Sequence, residues 1–148
     1  MHMSSIAGYR NAIMACEQRL HELRQERSGL EGFVGEVRHG STVFDQQLGN
    51  KRHLARRAQQ IGRSRIAARY GRRILKNIDA SFQSRIQQNF EGMLRDAQRA
   101  IDNVNREIEQ EEARIQQYQC VIRRVQEEER LARERAEAEA RRAAQQNA

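Results

Sequence analysis

The sequence predicts an all-α protein, a long antiparallel helical hairpin with coiled-coil packing. Three observations predict it. Proline is absent from all 148 residues, where average usage of about 5% would supply roughly seven. Arg, Glu, Gln, Ala and Leu, all good helix formers, dominate the composition. Apolar residues also recur with heptad spacing in two separate stretches, each long enough for a coiled-coil strand. With 32% charged residues and 5% aromatics, the apolar supply suits a narrow seam between helices and not a thick globular core.

The first arm is predicted over about residues 4–60. Its seam runs Ile6, Tyr9, Ile13, Cys16, Leu20, Leu23, Arg27, Leu30, Val34, Val37, Ser41, Phe44 and Leu48, in alternating steps of three and four. Only Arg27 and Ser41 interrupt its apolar character. Such sustained 3.5-residue periodicity implies a left-handed supercoil. The second arm, over about 66–125, carries a matching seam: Ala97, Ile101, Val104, Ile108, Glu111, Ile115, Tyr118, Ile122 and Val125. Glu111 is its one polar member.

A hinge is expected near 62–66. Gly62 can end a helix and Ser64 can cap the next one. Symmetry supports this place, because the first seam position, Ile6, and the last, Val125, are equidistant from about residue 65. Each arm would then be about 90 Å long at 1.5 Å per residue. A continuous helix that dimerises with a second copy is the simpler alternative. Residues 1–125 thus form the hairpin, and residues 126–148 a charged tail rich in Glu, Arg and Ala. Pairs such as Glu129–Arg133 and Glu137–Arg141 make that tail a solvated helical extension without a core.

Two features complicate the first arm. Arg38-His39-Gly40-Ser41-Thr42 combines a Gly with residues that compete for helical hydrogen bonds, so a kink or short loop is expected near 38–42. Gly29, Gly32 and Gly35 recur at steps of three. They read either as a place for close backbone approach by another helix or as local weakening of about 1 kcal/mol per Gly.

The middle of the hairpin carries more apolar surface than one neighbour needs. Ile74, Ile78, Phe82, Ile86 and Phe90 recur every four residues, so their stripe winds around the helix by about 40° per step. Met93 and Leu94 widen it, and Val37, Val43, Phe44 and Leu48 face it from the first arm. These residues, together with Gly29, Gly32 and Gly35, form the candidate surface for a helical protein partner. The competing reading is a third helical segment of the same chain, made by a break near Gly40.

Charge is concentrated around the hinge. Lys51 to Lys76 contains ten Lys or Arg residues and no acid, which accounts for all of the +7 net charge. Arg56, Arg57, Arg63, Arg65, Arg69, Arg72 and Arg73 could meet nucleic-acid phosphates, an anionic lipid surface or an acidic protein patch. Tyr70 is the sole aromatic among them, whereas single-strand binding interleaves several. Nucleic acid is therefore the lesser expectation, beside a solvated basic tip.

Catalysis is not expected. The four His residues are scattered, no Gly-rich phosphate loop is followed by Lys-Ser/Thr, and no metal or cofactor set has ligand spacing. Cys16 on the seam and Cys120 beside it read as small buried or half-buried residues, too far apart in register to pair. No stretch is apolar enough to span a membrane. Cytoplasmic synthesis is expected.

Gln18-Arg19-Leu20-His21-Glu22-Leu23 and Ile101-Asp102-Asn103-Val104-Asn105-Arg106-Glu107-Ile108 resemble the two arms of small coiled-coil proteins encoded beside LXG-domain toxins. Those belong to the WXG (ESAT-like) superfamily of type VII secretion. The resemblance covers about residues 6–125. The family has Trp-x-Gly at its hinge, and the nearest match in this Trp-free chain is Tyr70-Gly71. The resemblance implies a targeting chaperone or accessory partner, bound 1:1 to the helical N-terminal domain of a toxin, alone or with a second small helical protein. It also implies delivery to, or co-secretion by, a secretion system. Ile122 stands four residues after Tyr118, where secreted members carry Asp or Glu, so this chain resembles an accessory more than the signal-bearing member. Two other readings remain open. One is an export-apparatus stalk contacting an ATPase. The other is a nucleic-acid-binding helical arm like that of some tRNA synthetases.

Overall fold

The structure, a computed structural model, describes residues 2–60 and 64–147, with side chains from Ile6 onward. Three helices follow in order: α1 over His2–Gln60, α2 over Arg65–Asn77 and α3 over Ala80–Gln146. Among the described residues there is no strand, and no helix is long and apolar enough to cross a membrane. The helical hairpin is present, with α1 and α3 as its arms. The chain divides into two compact units, one of Met1–Glu26 with Val104–Ala148, the other of Arg27–Asn103.

Both predicted seams become the core. Every one of their residues is buried or half-buried, and Leu23 is fully enclosed. In the first unit, α1 runs antiparallel to α3, with Tyr9 against Tyr118 at 5.8 Å between ring centroids. Arg19 donates to Glu107 at 2.9 Å and Arg24 to Glu112 at 3.5 Å. Arg19 and Glu107 each precede a seam residue by one, whereas Arg24 and Glu112 each follow one. Like edges therefore face like, as antiparallel heptads require. The one polar residue of the second seam, Glu111, binds Arg114 at 2.8 Å and lies beside Cys16. Burial first, then that carboxylate, pushes the Cys16 thiol above its ordinary pKa.

The second unit departs from the sequence reading in three ways. First, α1 continues unbroken through Arg38–Thr42, so the loop expected near 38–42 does not form. The Thr42 hydroxyl donates back to the Arg38 carbonyl at 3.1 Å, satisfying itself without breaking the helix. Gly40 packs toward α3, where a Cβ would stand 3.7 Å from the Phe90 ring.

Second, the turn region holds an additional helix. Ser64 caps α2 as expected, its Oγ accepting from the Ala67 amide at 3.2 Å. Gly62 and Arg63, the other hinge candidates, lie outside the described residues. A second break at Ile78–Asp79 then separates α2 from α3. There the Ile78 amide closes α2 on Ile74, and Asp79 Oδ1 caps α3 by accepting from Phe82 N at 2.8 Å. The second arm therefore starts at Ala80 and not at 66. The third segment foreseen as an alternative does exist, but the break that makes it is at Asp79 and not at Gly40.

Third, α2 lies directly on α1. Gly71 is buried, and a Cβ there would come within 2.5 Å of the Ala55 carbonyl oxygen and 3.1 Å of Gln59 Cγ. Ala55 is itself fully buried. Two small residues thus let the helices meet at their backbones.

Beyond Val125, α3 stays helical to Gln146 with nearly all side chains exposed. Arg130 organises this extension, pairing with Glu127 and, at 2.6 Å, with Glu134. Cys120 is exposed, contrary to the half-buried place expected for it, because it falls just off the seam.

Candidate partner-binding surface

The candidate surface belongs to the unit Arg27–Asn103. Its residues divide between those the chain itself covers and those left open. Val37, Leu48 and Ile78 are buried within the unit. Phe44 sits between Phe82 and Phe90, with ring centroids at 6.2 and 6.1 Å and tilted planes, a favourable edge-to-face range. These six residues are chiefly internal core. Val43, Ile74, Ile86 and Leu94 remain half-buried, and Met93 is exposed.

Register explains the division. Stepping back from Ala97 and Leu94, the seam reaches Phe90, then Gln87 and Gln83. The four-residue stripe has by then drifted off the seam, which puts glutamines where apolar residues would sit. Arg52 of α1 donates to Gln83 there, satisfying the polar position. The displaced apolar residues accumulate on the edge immediately before the seam. On α3 that edge carries Ile86 and Met93, before Gln87 and Leu94; on α1 it carries Phe33 and Gly40, before Val34 and Ser41, and Val43 likewise precedes Phe44. Phe33 is 43% exposed and Met93 42%. Phe33 was not among the residues singled out from sequence, although its place one before Val34 was readable.

The opposite edge is different. Glu31, Val34, Arg38, Gln98 and Ile101 line a shallow hollow of about 340 Å³ whose outer residues are polar. The unit therefore has one apolar and one polar edge. Among the described residues nothing lies within 4 Å of a Cβ position at Gly29, Gly32 or Gly35, so none of them occupies the close approach these glycines allow.

The hinge motif separates into two roles. Gly71 makes the α1–α2 contact, while Tyr70 projects outward. Arg56, Arg57, Arg65, Arg69, Arg72 and Arg73 are all exposed. Among the described residues, no group of three or more His, Cys, Asp or Glu side chains is placed to hold a metal ion. No family model matches the chain, and no curated protein or solved structure is significantly similar to it.

Proposed function

We propose that the chain is a non-catalytic docking scaffold that binds a helical protein along the apolar edge of the unit Arg27–Asn103. The observation that carries this reading is the placement of Phe33 and Met93, exposed, and Ile86, half-buried, on one edge, while polar residues hold the other. An apolar helix laid along that edge would bury Phe33 and Met93 and could approach α1 closely at Gly29. The resemblance to small partners of LXG toxins narrows the occupant to a toxin's helical N-terminal domain, and the role to targeting for type VII secretion.

Segments 27–50 and 77–103, which bear this edge, together hold five Lys or Arg and seven Asp or Glu. Their near balance makes apolar burial the main source of affinity. The test is co-expression with the adjacent genes, then mass determination of the purified complex at about 0.5 M salt, where exposed charges are strongly screened. A stoichiometric complex with a helical toxin domain, lost in Phe33→Asp or Met93→Asp, is the expected result. Both residues are exposed, so the variants should keep the helical content of the parent. Phe82 and Phe90 are poorer choices because they hold the core. A complex that both variants leave intact would place the partner elsewhere.

A further inference from the structure

We propose that the outer face of α2 is a docking surface for an anionic lipid bilayer, with Ile66 and Tyr70 entering the headgroup region between arginines that meet lipid phosphates. The inner face of this helix is committed to the chain: Gly71 and Ile78 are buried, and Ala67, Ala68, Ile74 and Leu75 are half-buried. The Ser64 cap fixes where α2 starts, and the Gly71–Ala55 contact holds it against α1, which fixes what its other face presents. That face carries Arg65, Arg69, Arg72, Arg73 and Lys76, all exposed, and no acid lies anywhere from Lys51 to Lys76.

Basic residues alone would make only a solvated face. The apolar residues among them change the reading. Ile66 is 83% exposed, more than any other large hydrophobic residue described, and Tyr70 is 56% exposed. Singly, such residues need no explanation. Here, with Arg69 and Arg73, they line one shallow hollow of about 260 Å³ at the i, i+3, i+4, i+7 spacing of a single helical stripe. An amphipathic helix of this composition gains twice at a membrane surface. The apolar side chains leave water, and the arginine stems follow them while their guanidinium groups stay at phosphate depth.

Nucleic acid offers the same phosphates but uses the face less fully. Sequence-tolerant strand binding stacks successive bases on several aromatics, and α2 has one. Ile66 would remain in water. A bilayer uses the charges and both apolar residues.

The chain contains no Trp, so Tyr70→Trp places a single fluorophore on the proposed face. The full chain carrying it should co-sediment with vesicles of phosphatidylcholine and about one-third phosphatidylglycerol, with its emission shifted to the blue, and ignore pure phosphatidylcholine. In that background Arg69→Gln should weaken binding about fivefold, the usual worth of one charge at an anionic surface. Ile66→Ser should weaken it without any change of charge. All three positions are exposed, and circular dichroism checks that each variant stays folded. An unshifted emission on anionic vesicles overturns the proposal. So does binding indifferent to Ile66→Ser, which would be counterion adsorption alone. Displacement from the vesicles by a single-stranded oligonucleotide that quenches the Trp would overturn it in favour of nucleic acid.

Discussion

Immediately before Leu20 and Ile108 in one compact unit, and before Val34, Ser41, Gln87 and Leu94 in the other, the chain carries opposite chemistry. In the unit of Met1–Glu26 and Val104–Ala148 this edge holds Arg19 and Glu107, which pair with each other across α1 and α3. In the unit Arg27–Asn103 the same edge holds Phe33, Gly40, Ile86 and Met93. The net charges differ as well. Arg27–Asn103 contains 15 of the 27 Lys and Arg residues but only 7 of the 20 Asp and Glu, so it is strongly basic while the other unit is nearly neutral. In one unit an ion pair joins the arms across this edge; in the other Phe33 and Met93 stand exposed there. The lesson is that a shared heptad frame fixes how the helices pair, while the edge residues decide whether the pair is finished.

The largest effect should come from the seam of the closed unit. Leu23 is the one large side chain described that is fully enclosed, so Leu23→Ala should destabilise by about 3 kcal/mol, the middle of the range for such truncations. Phe33→Ser, on the open edge, should stay within about 0.5 kcal/mol of the parent, as surface changes usually do. Urea unfolding followed by circular dichroism compares the two. Equal losses would mean that Phe33 is core and that the open edge has been misread.

Legibility followed the same boundary. The seams were readable residue by residue because buried apolar spacing is a direct consequence of helix geometry. Even Glu111, the odd member, sits in the seam as placed. The Ser64 cap was readable for the same local reason. The break at Asp79 was missed because Ile74 to Phe90 forms a regular four-residue stripe, and an Asp N-cap inside such a stripe leaves its period intact. Its signal was present in Asp79-Ala80-Ser81-Phe82, where an acid precedes a helical start. Of the kink or short loop expected near 38–42, the loop does not form: α1 runs on as helix, with Gly40 facing Phe90. Tyr70 and Gly71 were noticed as a pair, but only the contact with Ala55 separates their roles.

Next in size is the junction of α1 and α2. Gly71→Ala forces a methyl to within 2.5 Å of the Ala55 carbonyl oxygen, a backbone atom with no rotamer to yield. The helices must separate, at about 1–3 kcal/mol for overpacking. Asp79→Ala removes the α3 cap and should cost about 1 kcal/mol. Amide hydrogen exchange reads both with unit resolution. Protection should fall in α2 and at the start of α3, and persist around Leu20, Leu23 and Ile108. If protection instead falls uniformly along the chain, the two units unfold as one and the contrast between them is structural but not energetic.

The smallest effect is chemical, and it probes the closed unit alone. Cys16 and Cys120 are both free, but Cys16 is buried in the seam and Cys120 exposed. Thiol reagents attack the thiolate, and burial together with Glu111 favours the neutral form of Cys16 by raising its pKa above the ordinary thiol value. At about pH 8 a maleimide should therefore label Cys120 promptly and Cys16 only as the seam opens. The same shift sets a sign for stability. Because the folded pKa is the higher one, Cys16 contributes fully below the ordinary thiol range, and that contribution is lost as pH rises through the raised value. Cys16→Ser, whose hydroxyl does not ionise in that range, should flatten the alkaline decline while Cys120→Ser leaves it unchanged. Leu23→Ala, by loosening the same seam, should bring the Cys16 labelling rate toward that of Cys120. Equal labelling of the two cysteines in the parent chain would show that the seam around Cys16 is open, and the closed unit would lose its claim to the name.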